Sequence, residues 1–211
     1  MPIATDAWMF FIPLIIAAAA LLFAGFKAVG IVVIGLSLFI LYFFRDPERQ
    51  IPPDPLAIVS PADGTVYRID PDYKDETTGE EKLRISIFLS IFNVHINRFP
   101  VSGKIEKKEL RTGKFMNAMN HLASEENTQV ILTISTAHGI VIVKQIVGLI
   151  ARRIVSNAEE GGMAVKGQRY GLMRFGSRMD VILPKTAIPA VKLKDKVEGG
   201  SSVVAHFKPA Q

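Results

Sequence analysis

Between Trp8 and Phe44 the chain carries one charged side chain, Lys27, and then Arg45-Asp46-Pro47-Glu48-Arg49 ends the apolar run abruptly. This stretch dictates attachment to a membrane. It falls into two segments, Trp8 to Ala24 and Val29 to Phe44, separated by Gly25-Phe26-Lys27-Ala28. At 1.5 Å per residue each makes a helix roughly 25 Å long, slightly short of a ~30 Å hydrocarbon core. The pair either spans as a helical hairpin or lies deep in one leaflet, and a hairpin returns both ends to the same side. Trp8, Tyr42, Phe43 and Phe44 then lie at the interface, with Arg45 and Arg49 among the head groups. The positive-inside tendency places that side in the cytoplasm. A cleaved signal peptide fits poorly, because there is no basic leading region and no small-residue cleavage site before a polar start.

Hydrophobic residues make up 49% of the 211 and charged ones 21%; the high mean hydropathy of +0.27 is concentrated in that anchor. The net charge of +5 falls almost wholly after residue 44, since Asp6 and Lys27 cancel before it. A basic body beside an apolar anchor suits an anionic lipid surface. Nucleic acid is not an expected partner, as no basic run with interleaved aromatics occurs. Cysteine is absent, which excludes disulfides, thiolate nucleophiles and cysteine metal sites.

From Ile51 the character changes. Residues 1–45 read as the membrane-anchoring hairpin, 46–55 as a stiff proline-rich linker, and 56–211 as a β-rich catalytic domain of barrel or sandwich type with a minor helical component. Expected strands include Thr65 to Ile69, Lys82 to Ile91, Val130 to Ser135, Ile140 to Ile146, Val165 to Arg169, Arg174-Phe175, Met179 to Leu183, Val191 to Lys194 and Val203 to Phe207. Thr136-Ala137-His138-Gly139 is a hairpin signal. The one helical or irregular interval is Lys114 to Asn127.

Three stretches bear on chemistry. Ser60-Pro61-Ala62-Asp63-Gly64 is a tight turn by its residue types, and Asp63 has the chemistry to orient and charge-stabilise a histidine. Phe92-Asn93-Val94-His95-Ile96-Asn97-Arg98 places His95 on an apolar strand, where a histidine is usually a satisfied core residue. Here Asn93, Asn97 and Arg98 gather polar groups around it. Gly199-Gly200-Ser201-Ser202 is common loop punctuation, yet a serine after a glycine kink can also swing its hydroxyl onto the preceding carbonyl. His121, His138 and His206 share no metal-ligand spacing, so no metal site is expected. Neither a phosphate-binding glycine loop nor a GxSxG elbow is present.

Taken in order, these stretches resemble the phosphatidylserine decarboxylases, in particular the short prokaryotic form. The resemblance runs through Phe43-Phe44-Arg45-Asp46-Pro47-Glu48-Arg49, Ser60 to Gly64, Phe92-Asn93-Val94-His95, Glu126-Asn127 and Val147 to Arg152. It continues through Lys166 to Gly171 and Arg174 to Arg178 to Gly200-Ser201-Ser202, covering essentially the whole polar part of the chain. Two departures stand out. The better-known cleavage motif reads Leu-Gly-Ser-Thr, against Gly199-Gly200-Ser201-Ser202 here. Longer members also carry a second histidine three residues before the catalytic one, where this chain has Phe92.

The resemblance implies self-cleavage between Gly200 and Ser201. His95, held by Asp63, takes the Ser201 hydroxyl proton; an acyl shift and β-elimination then leave a β chain, 1–200, and an α chain, 201–211. The new terminus is a covalent pyruvoyl group formed from Ser201, with neither a metal nor pyridoxal phosphate. That ketone forms a Schiff base with the serine amine of phosphatidylserine, CO2 departs, His95 returns a proton, and phosphatidylethanolamine is released. Arg98, Asn97 and Asn93 are the expected substrate contacts, with Arg45 and Arg49 as further candidates for the phosphodiester or carboxylate. The partners implied are an anionic phospholipid, the cell membrane on its cytoplasmic face and the two cleaved chains, with dimerisation left open. Two alternatives stand: a decarboxylase of another seryl lipid such as archaetidylserine, and a membrane-tethered hammerhead-type carrier. The eleven-residue α chain would be held by strand pairing, so Val203 to Phe207 should be internal to its sheet.

Overall fold

The structure, a computed structural model, describes residues 2–75, 78–120, 122–149, 153–174 and 176–209. The chain forms two compact units, 1–48 and 49–211.

The first unit is a helical hairpin. Helix α1, Trp8–Phe23, is followed by α2, Lys27–Phe43. Gly25, at φ +87°, makes the left-handed turn that lets the chain reverse. The helices pack closely at Gly30, where an added Cβ would lie 2.7 Å from the Leu22 side chain. The two ends meet again: Ala4 N–H donates to the Phe44 carbonyl and Asp46 N–H to that of Pro2, both at 2.8 Å. The hairpin therefore returns the chain to its starting side. Thr5–Phe23 forms 19 continuous helical residues of mean hydropathy 2.1, long and apolar enough to cross a bilayer. Only 11% of its most apolar window is buried, which is not how a soluble protein treats a core helix.

The second unit is mostly β. Its strands are β1 Ala57–Val59, β2 Gly64–Lys74, β3 Glu81–Leu89, β4 Ile96–Arg98 and β5 Gly103–Arg111. After a one-turn helix, α3 Ala123–Glu126, come β6 Gln129–Thr136, β7 Gly139–Val147, β8 Ile154–Ser156 and β9 Met163–Ala164. The chain closes with β10 Arg169–Met173, β11 Ser177–Pro184, β12 Ile188–Pro189, β13 Lys196–Val197 and β14 Val203–His206. A curled eight-stranded sheet in the order β13-β2-β3-β11-β7-β6-β5-β9 encloses the core, joined by two three-stranded sheets, β1-β14-β12 and β4-β10-β8. Leu83, Ile85, Ile87, Leu132, Ile134, Val143 and Val181 fill the interior, as alternation on half-buried strands requires.

Strand β14 lies between β1 and β12, so the last strand is internal, as its Val-Val-Ala core composition predicts. Two expected strands are turns instead. Residues 165–168 form a turn with Gly167 at φ +80°, and the chain turns again at 193–194, where Lys194 takes φ +74°. Strand β3 stops at Leu89, so His95 lies in the extended link between a turn and β4 and not within a long strand. Of the expected Arg174-Phe175 strand, Phe175 lies outside the described residues, as do His121 and the end of the Val147 to Arg152 motif.

Candidate active site

The glycine–serine loop is tied down at almost every peptide. Ser60, wholly buried, accepts from Gly200 N–H and donates to the Ser202 carbonyl, both at 2.8 Å. These two bonds bracket the Gly200–Ser201 peptide. Inside the loop the Glu198 carbonyl accepts from Ser201 N–H at 3.2 Å and Ser202 N–H at 3.0 Å. Glu198 N–H in turn donates to Ser202 Oγ at 2.9 Å.

Both glycines are dictated by space. A Cβ at Gly199 would sit 3.0 Å from Ala62 Cα; one at Gly200 would sit 2.8 Å from Arg98 Cδ. Gly200 also holds φ +83°, a conformation that costs an L-residue roughly 1–2 kcal/mol.

Asp63 fixes the loop from the other side. Its Oδ1 accepts from Gly199 N–H at 2.8 Å and its Oδ2 from Arg49 at 2.7 Å. Arg49 also pairs with the more exposed Glu198 at 2.5 Å. Read from sequence as a head-group contact, Arg49 is found bracing the loop through two carboxylates. A carboxylate accepting from a backbone amide in a site this protected is worth about 1.5–3 kcal/mol.

Arg98 is buried, donates to the Gly167 carbonyl at 2.9 Å, and lies against Gly200. Its backbone N–H donates to the Pro61 carbonyl at 2.9 Å, which joins β4 to the Ser60–Gly64 turn. His95 is three residues earlier, about 10 Å back along extended chain, and wholly buried. Its Nδ1 lies 2.9 Å from the Asn93 carbonyl oxygen. A carbonyl only accepts, so Nδ1 carries the proton in the neutral ring and Nε2 is the basic nitrogen.

Asn93 Oδ1 accepts from both N–H and Oγ of Ser90, at 2.9 and 2.8 Å, closing the turn before His95. Asn97 Oδ1 accepts from Gln145 Nε2 at 2.8 Å, which ties β4 to β7. The structure thus gathers Asp63, Gly200, Ser201 and Arg98 around one loop. Asn93 and Asn97 brace the segment that carries His95. Arg49, Ser60 and Glu198 complete the loop's support. Sequence reading missed that task because two of its key contacts run through the Ser60 backbone.

The second unit is thus a β protein in which a glycine–serine turn heads an internal terminal strand. The sequence profile of the phosphatidylserine decarboxylase family matches residues 36–205, and the chain belongs to that family. It is 43% identical over 209 residues to the phosphatidylserine decarboxylase proenzyme of Geobacter metallireducens, covering 96% of this chain and 95% of that one. The proenzyme of the same name from Pelobacter propionicus is 46% identical over 173 residues, 82% of this chain and 78% of the other. That of Cupriavidus pinatubonensis is 45% identical over 174 residues, 82% and 80% of the two chains.

Proposed function

We propose that the chain is a precursor that cleaves itself between Gly200 and Ser201 and then decarboxylates phosphatidylserine to phosphatidylethanolamine at the membrane. The observation that carries this reading is the bracketing of the Gly200–Ser201 peptide by the two Ser60 backbone bonds. A turn held on both sides, with a left-handed glycine before the serine, narrows the conformations open to that peptide and so favours attack of the serine hydroxyl on the preceding carbonyl.

In this reading Ser201 Oγ adds to the Gly200 carbonyl carbon and the C–N bond breaks, giving an ester. Loss of the Ser201 α-proton expels the Gly200 carboxylate and leaves a dehydroalanine, and water releases ammonia. His95, through Nε2, accepts the hydroxyl proton; Asp63 supports the step electrostatically and by holding Gly199. The chain's own groups fit the ketone that results. Among the described residues the bond lost with the nitrogen is that from Ser201 N–H to Glu198, while Ser202 N–H and Oγ still anchor the new terminus.

A pyruvoyl ketone at Ser201 supplies the electron sink that loss of CO2 requires. Around it, Arg98 offers the buried positive charge nearest Gly200 and is assigned to the substrate's carboxylate or phosphate. Asn93 and Asn97 act by fixing the segment between them. His95 delivers the proton that replaces CO2. The α chain, 201–211, stays bound to the β chain, 1–200, through both neighbours of β14. The domain division is 1–45 anchor, 46–55 linker and 56–211 catalytic domain, with the anchor in the cell membrane and its polar flank on the cytoplasmic face.

The test is turnover. Purified chain in mixed micelles with phosphatidylserine should release CO2 and form phosphatidylethanolamine, and hydroxylamine should abolish the activity. Activity that survives hydroxylamine contradicts a ketone mechanism.

A further inference from the structure

The eight-stranded sheet has two very different ends. Register places Thr65 opposite Phe88, Leu89 opposite Ser177, Ser177 opposite Val147, and Gln129 opposite both Ile146 and Arg111. The segments that follow Leu89, Arg111 and Val147 therefore leave from one end. Strand β13 pairs Val197 with Gly64, so the glycine–serine loop leaves from that end too.

These segments expose large apolar side chains: Ile91 37%, Phe92 62%, Phe115 37%, Met119 49%, Leu122 48% and Leu149 66%. The turns at the opposite end include Thr78-Gly79-Glu80 and Ala137-His138, which are small or polar. Toward the opposite end Ile140, Met163 and Val165 are exposed too, at 40, 66 and 54%, but on or beside strands β7 and β9. The six are instead carried by the connecting segments of one end, where clustered apolar exposure marks a contact surface. The loop that carries half of them is firmly built. Buried Asn127 accepts from Met116 N–H and donates to the carbonyls of Met116 and Val147, at 3.0, 2.9 and 2.8 Å.

We propose that this end of the sheet is a second membrane-contact surface, whose loop tips enter the boundary between head groups and acyl chains. A lipid surface is the occupant for three reasons. The chain enters this unit directly from an apolar helical hairpin, so a bilayer is always within reach. Exposed Arg153 stands on the same segments to meet anionic head groups, as does exposed Lys114, which is paired with Glu126 at 2.6 Å; Glu125 is a further opposing charge. The glycine–serine loop opens from the same end, so a lipid keeping its tails in the bilayer presents its head group there. Neighbouring strands lie about 4.8 Å apart, so the five strand ends from β3 to β5 span roughly 20 Å, room for a head group between inserted tips. The third reason rests on the lipid-decarboxylase reading; the other two do not.

The chain has no cysteine, so single Phe92→Cys, Leu122→Cys and Leu149→Cys variants each take one environment-sensitive fluorophore, with Ala137→Cys at the opposite end as control. In vesicles of phosphatidylcholine and phosphatidylglycerol, the three loop probes should shift to the blue and be quenched by nitroxide on lipid acyl chains, while the Ala137 probe is quenched by aqueous iodide. Loop probes as open to iodide as the control overturn the proposal. Loop probes shielded from both quenchers, as in a face covered by a second copy, overturn it equally. This readout needs no catalysis, so an inactive parent would defeat the decarboxylase reading and leave the surface decided. In active protein, Leu122→Ser with Leu149→Ser should still cleave at 200–201 and turn over a short-chain, water-soluble phosphatidylserine normally. On vesicle-borne phosphatidylserine it should be about tenfold or more slower at low substrate, as expected for removing two large apolar contacts. An equal loss on both substrates contradicts the proposal.

Discussion

Asp63 and Gly199 lie 136 residues apart, and the carboxylate of one accepts the backbone N–H of the other at 2.8 Å. The same carboxylate holds Arg49, so one aspartate joins the chain entering the catalytic unit to the loop near its end. Charge and backbone position are thus fixed together, one residue before the bond proposed to break.

Asp63→Asn keeps the shape and removes the charge. Losing a charge-assisted bond of about 1.5–3 kcal/mol should slow self-cleavage about 10- to 100-fold. A time course of precursor disappearance by gel mobility measures it. Cleavage at the parent rate would remove Asp63 from the process.

Gly200→Ala tests the turn. The left-handed backbone and the 2.8 Å approach to Arg98 Cδ should leave a folded but slowly processed precursor. Its thermal midpoint should fall by several degrees for a strain of roughly 1–2 kcal/mol. Gly161 also has positive φ, but an added Cβ there would meet nothing within 4 Å. It is the control: Gly161→Ala should lose similar stability and process normally.

His95→Ala should slow or abolish processing, as the loss of a buried proton acceptor requires. Normal processing together with normal lipid turnover would show that neither proton transfer uses this ring.

The sheet carries a buried ion pair apart from the site. Arg178 Nε and Nη2 bind Asp180 at 2.6 and 2.8 Å, and Ser86 and Ser124 complete the network. Burial alone would raise the Asp180 carboxyl, but the Arg178 charge, its hydrogen bonds and those of the two serines outweigh it and hold the group below the usual carboxylate range. A carboxyl depressed in the folded state stabilises the fold above its unfolded value, near pH 4, and that contribution is lost as pH falls toward the folded value. The urea midpoint should therefore drop below about pH 4, and less steeply in Asp180→Asn. Arg178→Met leaves a buried carboxylate without its partner and should cost about 3–5 kcal/mol at neutral pH.

Much of this was legible in the chain. Lys27 alone among charges marked the hairpin, and Val203 to Phe207 read as an internal strand because apolar residues there leave no solvent face. Strand β5, Gly-Lys-Ile-Glu-Lys-Lys-Glu-Leu-Arg, went unread: on a largely exposed strand, charged residues fill even the positions where periodicity would show. Val165 to Arg169 failed for the opposite reason, since a short apolar-polar alternation gave way to the left-handed turn at Gly167. At the site, Asp63, His95, Gly200 and Ser201 announce themselves by residue type. Ser60 and Arg49 do not. Ser60 works through its peptide groups, which any residue has, and Arg49 sits among prolines where an exposed cation is the ordinary reading.

The central claim is the break between residues 200 and 201, and intact-mass analysis of the purified chain tests it most directly. The account predicts two species, 1–200 and 201–211, the smaller one blocked at its first residue and reducible by borohydride, with Ser201→Ala remaining one chain. Active protein with an unbroken 211-residue backbone and an ordinary serine at 201 would contradict it.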